Sequence, residues 1–158
     1  MFEPIAEKKV VRAYEHADEL KELAEKIIKE ELIDIRPARV AYLFVEPNIS
    51  KSVPAKIVKA TPEMNFLTDY DYVIEVSKDI FYSLIEEHQR ILVLDQLLRI
   101  LVVMNDKTGD YQFKLRQPDF TGFKRIIDSY GTEWKTEIRT IMSSVYQLNP
   151  AQEDKIKI

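Results

Sequence analysis

Apolar residues along the chain recur at two spacings, and these divide it into elements. Over 17–32, Leu20, Leu23, Ala24, Ile27, Ile28 and Leu32 fall on one helical face while Lys and Glu fill the other, which predicts an amphipathic helix. "RVAYLFV" (39–45) is β-branched and aromatic and predicts a strand, as does the weaker "AKIVKA" (55–60) after the proline-bounded loop 47–54. Residues 62–68 read as a connection. "DYVIEVS" (71–77) is the clearest strand, with Tyr72, Ile74 and Val76 on one side and Val73 opposite.

Residues 78–104 are almost all helix-permissive and split into a short helix near 78–86 and a long one near 88–103. The long one is apolar nearly all round, so it should be a buried central helix. "NDKTGD" (105–110) is a turn, and "YQFKLR" (111–116) alternates as a strand does. A helix is expected from Pro118, with Asp119 as N-cap and Gly131 just past its end. "EWKTEIRTIMSSVYQL" (133–148) carries Trp134, Ile138, Ile141, Met142 and Val145 on one stripe and predicts a last helix. The polar tail 149–158 should fray. The fold class is α+β: a small mixed sheet of three to four strands packed on a central buried helix, with flanking helices, in one domain over 1–148.

Composition narrows the functions. With 158 residues, 46% hydrophobic and 32% charged, the chain can bury a single core. The net charge of −4 is dispersed, which disfavours nucleic acid as a partner because phosphate binding wants a concentrated basic face. There are no cysteines, which excludes thiolate chemistry and suits a reducing cytoplasm. The start "MFEPIAEKK" has no apolar core of a secretory signal, and Ile91 to Met104 is too short to span a bilayer. Three glycines leave no room for a phosphate-cradling loop.

The chemistry-bearing residues are few. His16 and His88 are the only histidines, and His88 with Glu86 or Glu87 reads first as helix surface. Ser143 and Ser144 have no histidine or aspartate near in sequence. Glu86, Glu87 and Asp95 could be paired as a catalytic acid and base only by the fold. The aromatics sit mostly at core-facing positions, with Tyr70, Tyr82 and Tyr146 as candidates for exposure. Lys51, Lys56 and Lys59 either form a basic rim or guard an edge strand against sheet-to-sheet pairing.

"VLDQLLRIL" (93–101) is the informative stretch. Asp95, Gln96 and Arg99 stand at the spacing of an HExxH zinc motif, in which two histidines four apart on a helix grip one metal and the glutamate serves as general base. With the preceding "DYDYVIEVSKDIFYSLIEEHQR" and the later "LRQPDFTGFKRIIDSYGTEW", the chain from about 15 to 135 resembles the phage-type metallopeptidase family, a minimal zincin-like domain. Asp119, Phe120, Phe123, Tyr130, Gly131 and Trp134 match its framework, and Pro118 stands where the third zinc ligand is expected. The resemblance implies a zincin-like fold and a substrate cleft beside the "DYVIEV" strand.

Every position that would do the zinc chemistry is changed. Gln96 cannot act as a base near neutral pH, Arg99 only donates, and Pro118 has no ligating side chain. Asp95 alone would hold zinc poorly beside a cation. Asp95 and Arg99 are expected to form an ion pair at the former metal position. The expected role is therefore a catalytically inactive metallopeptidase-like module with no cofactor, zinc being lost. It would bind a protein partner or a second copy through the old cleft, with Lys56, Lys59, Tyr72, Asp95 and Arg99 as candidate contacts. Two alternatives are carried: a metal-dependent hydrolase with a rearranged site built on Asp95, His88 and a distant acid, and a nucleic-acid-associated accessory protein.

Overall fold

The computed structural model of the protein describes residues 11–118 and 122–158. The expected N-cap Asp119 and the framework residue Phe120 lie outside the described residues.

The first element of the described residues is a short strand absent from the sequence reading, β1 (Ala13–His16), followed by α1 (Asp18–Glu30). Leu20, Ala24 and Ile27 of α1 are buried, as its apolar stripe requires. Then come β2 (Val40–Glu46) and β3 (Ala55–Lys59). The segment expected as a connection is instead a helix, α2 (Pro62–Thr68). Its signals are local: the Thr61 hydroxyl accepts from the Met64 N–H, Pro62 sits in the first turn, and Asp69 closes it in the left-handed region.

β4 (Tyr72–Ser77) follows and is buried along its whole length. It lies between β2, to which it is parallel, and β3, to which it is antiparallel; β1 pairs antiparallel with the far side of β2. The order β1-β2-β4-β3 leaves β3 at the edge of a mixed four-stranded sheet.

After β4 the chain runs through α3 (Lys78–Ser83) into α4 (Glu86–Leu97). Ile91 to Leu97 are all buried in α4, which packs on α1 and against β3. This is the expected central helix, but it is shorter than its sequence suggested. The helix tightens at Leu98, where the Arg99 N–H reaches the Gln96 carbonyl at 3.1 Å. Residues 100–104, expected as helix, are β5 (Ile100–Met104), which pairs with β6 (Tyr111–Leu115) as a separate two-stranded sheet. The run Ile100, Val102, Val103 favours a strand, and the complementary partner lies one tight turn away. Tyr72 anchors this hairpin to the main sheet. Its hydroxyl donates to the Lys114 and Leu101 carbonyls at 2.7 and 3.3 Å, and its ring meets Phe113 edge-on.

Helices α5 (Lys124–Tyr130), α6 (Glu133–Tyr146) and α7 (Pro150–Glu153) complete the chain. Gly131 ends α5 with φ of 72°, a conformation that favours glycine. Trp134, Ile138 and Met142 of α6 are buried. Arg90 and the framework residue Tyr130 meet at Glu31: the Tyr130 hydroxyl donates to the Glu31 carboxylate at 2.6 Å, and Arg90 approaches the same acid at 3.4 Å. Arg125 also pairs with Glu31, so one carboxylate at the end of α1 ties together α4 and α5. The Tyr130 hydrogen bond and the two guanidinium groups hold the Glu31 carboxyl below the usual range, against the upward push of burial.

The C-terminal tail does not fray. Asn149 and Gln152 form a reciprocal capping box around α7, Ile156 is buried, and the Lys157 N–H donates to the Ser52 carbonyl at 2.7 Å. Polar composition hid one apolar anchor and one backbone N–H, that of Lys157, whose partner Ser52 lies far back in the chain. Ile156→Ala is expected to cost about 2 kcal/mol, the low end for truncating a buried isoleucine because the terminus can readjust. A urea titration checks it. No helix among the described residues is long and apolar enough to cross a membrane.

Candidate functional site

A cleft of about 460 Å³ opens where the end of α4, the edge strand β3, the exit of β6 and the C-terminal residues meet. α4 contributes Asp95 and Gln96 from its last buried turn, and the tight turn beyond it contributes Arg99. β3 and the loop before it supply Val53, Ala55, Lys56 and Ile57. The segment leaving β6 adds Leu115, Arg116, Gln117 and Pro118. Lys157 and Ile158 close one side.

Asp95, Gln96, Arg99 and Pro118, chosen from two distant parts of the sequence, thus face one space. The Asp95 carboxylate accepts from Arg99 Nη2 at 3.2 Å and from the Gln96 amide at 3.3 Å. The expected ion pair is present, formed through a single guanidinium nitrogen. Arg99 Nε is buried with no acceptor among the described residues, and the guanidinium carbon lies 5.8 Å from the centre of the Phe123 ring. The Asp95 side chain is only 5% exposed, against 29% for Arg99. Burial pushes the Asp95 carboxyl above the usual range, and the Arg99 charge offsets that push only in part.

Lys135 is a participant the sequence did not suggest. It is buried at the start of α6, near enough to Asp95 for the two charges to interact. Burial pushes its ammonium down, and Asp95 pulls it back up. A lysine next to Trp134 on an amphipathic helix reads as surface; only the packing of α6 reveals otherwise.

The remaining candidates scatter. Lys56 lines the cleft and pairs with Glu75 of β4 at 3.3 Å. Lys59 lies further along β3, is exposed, and does not line the cleft. Tyr72 is fully buried with its hydroxyl turned to the β5–β6 hairpin, so its expected role as a partner contact is corrected to a structural one. His88 does not join Glu86 or Glu87; it pairs with Glu137 of α6. Ser143 pairs with Glu153 of α7. Tyr70 and Tyr82 are exposed, whereas Tyr146 is half-buried.

A zinc site needs three or more convergent nitrogen, oxygen or sulfur ligands. Positions 95, 96, 99 and 118 offer one carboxylate, an amide, a guanidinium and a proline, with the buried Lys135 ammonium beside them. That donor set does not fit zinc. No group of three or more His, Asp or Glu side chains able to hold a metal ion occurs among the described residues. A rearranged site on Asp95 and His88 is therefore not assembled among them.

The family model described as "Putative phage metallopeptidase" matches residues 12–146. No curated protein and no solved structure matches the chain. The match takes in both halves of the cleft's chemistry, α4 with its following turn and the exit of β6, as well as the Glu31, Arg90 and Tyr130 junction. The chain belongs to the phage metallopeptidase family.

Proposed function

We propose that the protein is a metallopeptidase-like domain that has lost the reaction and uses the cleft to bind another protein. One observation carries this reading. The four positions that would hold and use zinc line a single cleft, and their side chains offer one carboxylate but no histidine, no second ligand of comparable strength and no general base in place of the glutamate. Positive charge at this position comes instead from Arg99, paired with the Asp95 carboxylate, and from Lys135, whose charge also acts on it. A binding role is favoured over an inert one by the cleft itself: it is an open space of about 460 Å³ lined by both apolar and charged side chains.

The test is metal content with activity. Protein purified without added zinc is expected to carry far less than one equivalent, measured by plasma mass spectrometry. Its hydrolysis of an unstructured protein should be at background and unaffected by zinc or a chelator. One tightly held equivalent, or chelator-sensitive cleavage, overturns the reading.

A further inference from the structure

We propose that the occupant of the cleft is an acidic segment of a partner protein, with its carboxylates seated between Arg99, Arg116 and Lys157. The proposal rests on the binding reading above and names the chemistry that the site selects.

The argument is a count of charges and their partners. Among the described residues, the charged side chains that line the cleft are Lys56, Arg99, Arg116, Lys157 and Asp95. Four are cationic and one is anionic. Lys56 is matched by Glu75, and Arg99 by Asp95. Arg116 and Lys157 are exposed and form no ion pair among the described residues. The cleft therefore holds a positive surplus within a protein whose net charge is −4. A surplus confined to a concave site with low-dielectric walls focuses the field there.

The backbone fixes where these two cations stand. The Arg116 N–H donates to the Arg99 carbonyl at 2.6 Å, which pins the exit of β6 to the turn after α4. The Lys157 N–H is held by the Ser52 carbonyl. Both side chains thus spring from anchored backbone at the lining of the cleft.

The walls decide between anions. Val53, Ala55, Ile57, Leu115 and Pro118 line the same space as the cations. Such a lining suits a peptide that mixes apolar and acidic side chains. A nucleic-acid backbone needs a longer basic track, and the acidic remainder of the molecule would repel it. The family's zinc would have asked the same cleft to hold a cation; Arg99, Arg116 and Lys157 make it select the opposite sign.

Fluorescence anisotropy with three labelled probes tests this on the full chain: a peptide alternating leucine and aspartate, the same peptide with asparagine for aspartate, and a single-stranded oligonucleotide. The acidic peptide is expected to bind about tenfold tighter than the neutral one at low salt. The preference should fade between about 0.1 M and about 1 M salt, as the screening length falls from about 10 Å to about 3 Å. The double variant Arg116→Glu/Lys157→Glu should lose the preference, while Lys26→Glu/Lys107→Glu, away from the cleft, should keep it. Equal binding of acidic and neutral peptides, equal loss in both double variants, or tighter binding of the oligonucleotide overturns the proposal. The same preparation is assayed for zinc. Zinc-free protein that ignores the acidic peptide sinks this inference and leaves the loss of zinc standing. Protein holding one equivalent of zinc sinks the earlier reading, whatever the peptide does.

Discussion

Arg99→Leu is expected to lower stability at neutral pH by about 3 kcal/mol, and the loss should shrink in acid. Asp95 is buried and its carboxylate keeps only Gln96 and the more distant Lys135 once the guanidinium is gone. Removing one partner of a buried pair leaves an uncompensated charge and costs roughly 3–5 kcal/mol. Lys135 holds the figure at the low end. The pH dependence follows from the direction of the Asp95 shift. Its carboxyl already titrates above the usual range in the folded protein, so the ionised form is disfavoured relative to the unfolded chain. Below the unfolded-state pKa both states are protonated and the penalty vanishes. It grows as pH rises toward the folded-state pKa and is complete above it. Loss of Arg99 moves the folded-state value further up, so the variant's deficit extends to higher pH than the parent's. Urea titrations of parent and variant at about pH 4 and about pH 7 read this difference directly, and carboxylates common to both cancel.

The companion variant separates an ion pair from mere packing. Asp95→Leu/Arg99→Leu should return to within about 1 kcal/mol of the parent, because replacing both members of a buried pair by apolar groups is often neutral or better. If the double variant is as unstable as Arg99→Leu, the Asp95–Arg99 contact is not what the turn after α4 depends on.

The second large effect is a gain. Asp95→His, Gln96→Glu, Arg99→His and Pro118→His together should convert the cleft into one that binds a single zinc ion. Histidines at 95 and 99 would take the places of two side chains that already touch, 3.2 Å apart across the end of α4. A histidine at 118 would enter from the exit of β6, which lines the same space. Zinc at a thousandfold excess over its dissociation constant would stabilise such a variant by about 4 kcal/mol, seen as a rise in Tm that the parent does not show. Lys135 and Arg116 stay cationic beside the new site and oppose the metal, so adding Lys135→Gln should tighten binding further. A variant that melts cooperatively like the parent and still takes up no zinc would remove the link between these four positions and a former metal centre.

How much of this was legible beforehand differs from residue to residue. α1 and strands β2, β3 and β4 follow from repeats of 3.6 and 2 that survive in any context. The ion pair was legible because a helix brings i and i+4 together whatever lies around it. α2 was missed although its cap at Thr61 was readable, because its exposed face carries Phe66 and Leu67 and shows no amphipathic stripe.

Sequence alone determined the α+β class, the buried α4 and the residue types at 95, 96, 99 and 118, which include no histidine. These are properties of residue type and of spacing along one element. Tertiary structure alone decided that Ile100–Met104 is a strand, that Tyr72 faces inward, that Lys135 is buried, and that Arg116 and Lys157 line the cleft. An apolar run of five residues satisfies helix and strand equally until a hydrogen-bonding partner is supplied, and β6 supplies it here. The charge of the cleft likewise belongs to no single segment: it is the sum of side chains from β3, the turn after α4, the exit of β6 and the tail, which only the folded chain brings within reach of one ligand.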